Sequence, residues 1–258
     1  MTGASAFRLD GQAAIVTGAS AGLGAIMARG LAEAGCAVLL AARRAERLAG
    51  VAAEITAAGG RAHAHPADLR DPSHAEDLVR AARRAFGRLD GVVLNAATAT
   101  VAPAETEDPA AFADVLQVNV GAQAALAAAA ARAMIGAGSG GWMILMSSIL
   151  GRKAGTGPGV AAYVASKIAV EGLARELARQ WAPHGIRVNA LAPGYFPTEM
   201  NAPMTADPGR REALLARTPM GRAGEPQDIT GAAVFLASRA AGFVTGHTLP
   251  VDGGMACW

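Results

Sequence analysis

Cysteine, lysine and tyrosine are all scarce in this chain: Cys36 and Cys257, Lys153 and Lys167, and Tyr163 and Tyr195 are the complete sets. Two cysteines cannot staple 258 residues and form no metal-type cluster, so a disulfide scaffold is excluded and a reduced, cytoplasmic setting is expected. Charge of one sign is also missing. With 23 Lys+Arg against 21 Asp+Glu the net charge is +2, which offers no bulk attraction to nucleic acid or to a membrane surface. The start, MTGASAFRLDGQAA, has no basic region followed by an apolar run, so no secretory signal is expected. The most apolar stretch, Gly121 to Gly138, is mostly alanine and is interrupted by Arg132. It reads as a buried or half-buried helix that falls short of a membrane span. What is plentiful is core material: 52% hydrophobic against 17% charged residues describes a globular protein. Alanine, glycine and arginine are so abundant that their general richness carries no functional signal, and the scarce residues carry more.

Short β-type runs alternate with longer helical ones from end to end. Strands are expected at Ala13 to Thr17, Ala37 to Ala41, Gly91 to Asn95, Trp142 to Ser147, Ile186 to Leu191 and His247 to Val251, with a weaker candidate at Arg61 to His65. Helices are expected at Gly22 to Ala34, Arg44 to Ala57, Ser73 to Phe86, Pro109 to Ile135, Ala161 to Trp181 and Pro226 to Ser238. This pattern predicts one α/β domain, doubly wound, with ligands bound beyond the carboxyl ends of parallel strands. The least regular segment, Tyr195 to Gly224, carries four prolines and reads as a lid over a site, with disorder as the alternative.

The first strand runs into Thr17-Gly18-Ala19-Ser20-Ala21-Gly22-Leu23-Gly24 and then a helix. Glycines at a strand-to-helix turn admit a pyrophosphate to the backbone, and the helix start favours its charge. The earlier Thr2-Gly3-Ala4-Ser5-Ala6 repeats the opening letters with no strand before it, so context rather than composition makes the second copy a dinucleotide turn. After the second strand, where an acid would bind the adenosine ribose and repel a 2′-phosphate, stand Arg43 and Arg44. Arg43 there favours NADP over NAD, unless both arginines are simply solvated. Asp68, after the third strand, could reach the adenine or cap a helix.

Tyr163 and Lys167 lie four apart on one face of an expected helix. An ammonium beside a phenol favours phenolate, which makes a general acid/base of a group otherwise titrating near ~10. With two of each residue in the chain, chance supplies only about 0.02 such pairs. Ser147 and Ser148 end the strand Trp142 to Met146, where a hydroxyl can meet a substrate oxygen or merely form a turn. His63 and His65 alternate on a strand but lack a third ligand, so no metal site is expected.

Taken in order, Thr17 to Gly24, Asn95-Ala96-Ala97, Asn119, Ser148, Tyr163/Lys167 and Pro193-Gly194 resemble the motifs of the classical short-chain dehydrogenase/reductase family over nearly the whole chain. The resemblance implies a single-domain Rossmann fold, a parallel sheet of about seven strands with helices on both faces, and hydride transfer between a nicotinamide and a carbonyl or alcohol carbon. It implies Tyr163 as acid/base, Lys167 lowering its pKa and holding the ribose, Ser148 orienting the substrate oxygen, and Asn119 holding a relay water. Ser148 is preferred to Ser147 because Ser148-Ile149-Leu150-Gly151 fits the family's Ser-x-x-Gly. Cofactor contacts are implied at Gly18, Ser20, Ala21, Gly22, Leu23, Gly24 and Arg43, at Asp68, Leu69 and Asn95, at Tyr163 and Lys167, and at Pro193, Gly194, Phe196 and Thr198.

The chain departs from the family in keeping one asparagine in Leu94-Asn95-Ala96-Ala97, in placing Ala21 where NADP users often carry a base, and in a longer Ser148-to-Tyr163 interval. Three readings follow: an NADP-dependent reductase of ketones or 3-oxoacyl groups; an NAD-dependent dehydrogenase of hydroxy acids, polyols or sugar acids such as gluconate, with Arg152 and Lys153 meeting the anion; and a non-catalytic dinucleotide-binding protein. Tyr195, Phe196, Met200, Met204 and Met220 suggest a partly apolar pocket under the lid, or residues that close a core. Family members are often tetramers that pair long helices, and the Met255-Ala256-Cys257-Trp258 tail is a candidate for docking on a neighbour.

Overall fold

Aliphatic runs such as Ala13–Thr17 and Gly91–Leu94 are buried along their whole length, as strands covered by helices on both faces must be. The computed structural model describes residues 3–155, 159–202 and 206–257. Among them, seven parallel strands form one sheet: β1 (Ala13–Thr17), β2 (Ala37–Ala42), β3 (Ala62–Pro66), β4 (Gly91–Leu94), β5 (Gly141–Met146), β6 (Ile186–Pro193) and β7 (Thr248–Val251). Their order is β3-β2-β1-β4-β5-β6-β7, the doubly wound arrangement expected from the sequence. The winding reverses between β1 and β4, and the carboxyl ends at that point are where a ligand cleft opens.

Side chains alternate between two cores. Val16, Val38, Leu40, Ile144 and Leu191 pack with α1 (Gly22–Glu33), α2 (Ala45–Ala57) and the last helix, whereas Ile15, Leu39, Leu94 and Leu145 face the opposite layer. That layer consists of α3 (His74–Phe86), α5 (Ala122–Ala137) and α6 (Ala161–Trp181). Asp90 fixes the start of the sheet. It receives two bonds from Arg88, both 2.7 Å, and the Ala13 N–H at 2.8 Å.

The expected helix Pro109 to Ile135 is divided. α4 (Pro109–Leu116), capped by the Asp108 carboxylate on the Ala110 N–H, runs into a π turn at Gln117–Gly121 before α5 begins. The continuous helical path Pro109–Ala137 has 29 residues and reaches a mean hydropathy of 1.3, so by length and composition alone it could cross a membrane, contrary to the shorter stretch read above. In the fold, Leu126, Ala130 and Met134 of this path belong to the buried core, as expected for a buried helix.

The irregular segment also holds a helix that the sequence reading lacked, α7 (Pro208–Ala216). Asp207 caps it through the Gly209 N–H at 2.8 Å and proline sits in its first turn, the same Asp-Pro start as at residue 108. α8 (Pro226–Ala237) completes the first helical layer.

Candidate active site

The glycine turn is locked from β4. Thr17 Oγ1 accepts the N–H groups of Asn95 at 2.9 Å and Ala96 at 3.0 Å, and the Asn95 amide donates back to the Thr17 carbonyl at 2.9 Å. Asn95 thus works by fixing the turn. Gly18 has φ +66°, and a Cβ there would lie 2.7 Å from Asn95 Nδ2, while one at Gly24 would run into the Gly18 carbonyl oxygen. Ala21, extended at φ −168°, is the N-cap of α1 and supplies no side-chain cap. Among the described residues, the N–H groups of Gly22, Leu23 and Gly24 at the helix start meet no side-chain acceptor, so the turn fits a dinucleotide pyrophosphate.

Next to this turn, the second arginine reaches furthest. Arg44 donates to Ser20 Oγ at 3.1 and 3.2 Å and to Glu199 at 2.8 Å, and Arg47 pairs with the same Glu199 carboxylate. Arg43 is exposed and acts on Asp114, whose carboxyl is held below its ordinary range first by its bonds to Arg70 and in smaller part by Arg43. The guanidinium seated on the turn is therefore that of Arg44, which the sequence reading passed over in favour of Arg43. Asp68 is no helix cap: its carboxylate accepts the Arg70 N–H at 3.1 Å, and Ser73 holds the N-cap position of α3. Leu69 is half-buried beside it.

The carboxyl end of β5 meets one face of α6, and Met146 and the two residues that follow it each have a helix partner. The Met146 carbonyl accepts Lys167 Nζ at 2.7 Å, Ser147 Oγ donates to Glu171 at 2.9 Å, and the Ser148 hydroxyl bonds the Tyr163 phenol. The two serines thus separate by partner, Ser147 on Glu171 and Ser148 on Tyr163. Lys167 is 1% exposed, and burial pushes its ammonium down from 10.5 to about 8. The Tyr163 phenol is pushed up by burial, and the Ser148 hydrogen bond opposes that shift. Lowering of the phenol by Lys167, expected from the sequence, is not the effect found. The ammonium lies over the ring, 5.2 Å from its centroid, and its bond goes to Met146.

Asn119 sits fully buried in the π turn. Its amide gives both hydrogens away, to the Thr98 carbonyl at 2.9 Å and to Ser166 Oγ at 3.0 Å, and its oxygen takes the Thr98 N–H at 2.8 Å. Ser166 in turn donates to the Tyr163 carbonyl at 2.7 Å. A water at Asn119 can therefore meet it only at an oxygen, and the side chain braces the turn that carries Tyr163.

The segment after β6 closes toward the glycine turn. Gly194 donates to Val251 at 3.0 Å beside Pro193, the last residue of β6, and the Gly224 N–H bonds the Tyr195 carbonyl at 2.9 Å, tying the neck of the loop. Thr198 packs over Gly22, where a Cβ would lie 3.6 Å from its methyl. Phe196, 4% exposed, belongs to the core, so it closes the interior and does not line an apolar pocket. Met200 and Met220 are exposed, and Met204, like Trp258, lies outside the described residues. Arg152 and Lys153 do not point at a substrate anion. Arg152 Nε stands 3.4 Å from Glu171, and Lys153 donates to the Met255 carbonyl at 2.7 Å.

Comparison with known proteins agrees with this fold. The family model described as enoyl-(acyl carrier protein) reductase matches residues 18–256. Gluconate 5-dehydrogenase of Gluconobacter oxydans is 41% identical over 251 residues, 96% of each chain. Two solved structures superpose over nearly the full length. A putative NAD(P)-dependent gluconate 5-dehydrogenase from Beutenbergia cavernae with bound NADP is 42% identical, with TM-score 0.91 over 98% of this chain and 100% of that one. A gluconate 5-dehydrogenase from Burkholderia cenocepacia in complex with NADP and tartrate is 37% identical, with TM-score 0.92 over 98% of both. The chain belongs to the classical short-chain dehydrogenase/reductase family and is an oxidoreductase acting on CH–OH groups.

Proposed function

We propose that this oxidoreductase uses NADP(H) in preference to NAD(H) and interconverts a secondary alcohol and a ketone on a polyhydroxy acid of the gluconate type. The observation that carries the reading is the Ser148–Tyr163–Lys167 cluster at the carboxyl edge, beside a glycine turn with Arg44 on its rim. When bound, the nicotinamide dinucleotide supplies or accepts the hydride. Its pyrophosphate would rest on the N–H groups of the Gly18–Gly24 turn, its 2′-phosphate would meet Arg44 and Arg43, and Lys167 would hold the nicotinamide ribose. The Tyr163 hydroxyl gives its proton to the substrate oxygen in reduction and takes one in oxidation, while Ser148 holds that oxygen against it. Asn119 keeps the Tyr163 turn of α6 in place.

Support for the substrate class comes from relatives. Besides the gluconate enzymes, a galactitol 2-dehydrogenase of Cereibacter sphaeroides is 41% identical over 98% of both chains. Arg152 and Lys153, which first suggested an acid, no longer contribute to that case. A ketone or 3-oxoacyl substrate is the second reading, favoured by a relative named as a reductase, the A-factor type gamma-butyrolactone 1'-reductase of Streptomyces virginiae, 41% identical over 251 residues. We further propose a cytoplasmic homotetramer, with the segment from Tyr195 to Gly224 as its substrate lid. Thermal stabilisation by NADPH against NADH, followed by cofactor absorbance with gluconate, simple ketones and 3-oxoacyl thioesters, tests the proposal. Stronger stabilisation by NADPH and turnover of gluconate support it. Preference for NADH, or turnover of 3-oxoacyl thioesters alone, overturns the corresponding half.

A further inference from the structure

Tyr163 and Lys167 continue on their helix face to a third residue at the same spacing, Glu171. This carboxylate is only 8% exposed, which is unusual for a charged group and implies partners. It has two. Ser147 Oγ donates to Glu171 Oε1 at 2.9 Å, and Arg152 Nε lies 3.4 Å from the same oxygen. Ser147 has a single proton, and Glu171 is its shortest acceptor; the Lys167 carbonyl lies further away at 3.2 Å. Gly151 packs into this junction, where a Cβ would fall 3.1 Å from Ser147 Oγ and 3.3 Å from Glu171 Oε1. The glycine of the Ser-x-x-Gly pattern is thus explained by the carboxylate behind it.

Ser147 is joined to Ser148 by one peptide bond, and the two bond Glu171 and Tyr163, two turns apart on one face of α6. Whatever fixes the Ser147 side chain also fixes the backbone from which the Ser148 hydroxyl reaches Tyr163. The loop that follows is held by the same group, because Arg152 closes onto Glu171 and also reaches the Thr248 carbonyl at 3.4 Å. We infer that Glu171 is a positioning residue: through Ser147 and Arg152 it holds the strand end so that Ser148 meets the Tyr163 hydroxyl. The inference rests on Tyr163 being the acid/base, but its test needs neither substrate nor cofactor, so a wrong cofactor or substrate assignment leaves it standing.

The scarcity of tyrosine provides the test. In a Tyr195→Phe background Tyr163 is the only tyrosine, and its near-ultraviolet phenolate absorbance titrates it alone. Among the described residues, Lys167 lies over its ring and the neutral Ser148 hydroxyl bonds the phenol itself, while Glu171 on α6 and Arg152 on the loop from β5 pair with each other behind the strand end. Ser148 favours phenolate, whereas the negative charge of Glu171 disfavours it. Positioning and simple charge removal therefore have opposite signs. Glu171→Ala is expected to raise the Tyr163 midpoint by about half a pH unit or more, and Ser147→Ala, which removes one oxygen, should shift it the same way. Glu171→Gln keeps an acceptor for Ser147 and should leave the midpoint unchanged or slightly lower. A midpoint that falls in Glu171→Ala, or one that rises equally in Glu171→Gln, overturns the inference. Should Glu171→Ala not fold, Ser147→Ala decides: an upward shift supports the assignment and an unchanged midpoint removes it.

Discussion

The two ends of the sheet's carboxyl edge are built by different means. At β5 and α6 the functional groups are buried and bonded to one another: Lys167 to Met146, Ser147 to Glu171, Ser148 to Tyr163. At β1, β2 and the segment after β6, the groups around the glycine turn are arginines and a glutamate roughly half exposed to solvent, with Arg44 and Arg47 sharing Glu199. Buried bonds fix geometry because breaking one leaves a polar group without water, whereas exposed pairs are worth at most about 1 kcal/mol and exchange easily. The first arrangement suits proton transfer, which depends on angstrom-scale geometry. The second suits a surface that must release one anion and receive another.

If this contrast is right, the largest effects arise on the buried side. Lys167→Met should lower kcat by about a thousandfold, yet should not destabilise the free protein. With its pKa at about 8 in the fold against 10.5 unfolded, Lys167 is penalised below pH 8, where both states carry the proton. Between about 8 and 10.5 only the unfolded chain retains it, so stability should rise with pH by roughly 3 kcal/mol across that window. Tyr163 acts oppositely, its raised pKa favouring unfolding only above its ordinary range near ~10. Denaturant melts from pH 7 to 10 should therefore show an increase in the native protein and none in Lys167→Met.

Ser148→Ala should cost about a hundredfold in kcat while leaving cofactor affinity unchanged, as read by cofactor fluorescence titration. On the exposed side, Arg44→Ala should weaken NADPH about tenfold and NADH hardly at all, since the loss is one charge-assisted phosphate contact. Equal losses for both would remove Arg44 from the 2′-phosphate. The smallest effect belongs to Glu199→Gln, a slight loss in thermal denaturation that fades as salt is added. A large, salt-independent loss would erase the distinction between the two ends.

The same contrast explains what was legible in the sequence. Strand and helix order could be read because aliphatic runs and four-residue spacing are local signals, and the Tyr163/Lys167 pair stood out because both residues are rare. The π turn at Gln117–Gly121 was invisible because its cause is tertiary, an asparagine reaching Thr98 and Ser166. α7 was missed although its Asp207-Pro208 start is a readable cap; the surrounding prolines hid it. That Arg44 as well as Arg43 stands by the glycine turn was hidden for a related reason. Neighbouring residues at a helix start point in different directions, and only the contact with Ser20 reveals which guanidinium turns to the cleft. Glu171 had a signal, the continuation of the Tyr163–Lys167 interval by four, but burial gave it meaning.

The central claim is that Tyr163, held by Ser148 at the end of β5, transfers the proton. Tyr163→Phe removes one oxygen and little else, so it isolates that step. Single-turnover hydride transfer followed by cofactor absorbance, alongside a cofactor-binding titration, is the direct measurement. The account predicts a fall of at least about a hundredfold in the transfer rate with cofactor affinity unchanged. A rate within a few-fold of the native enzyme would contradict it.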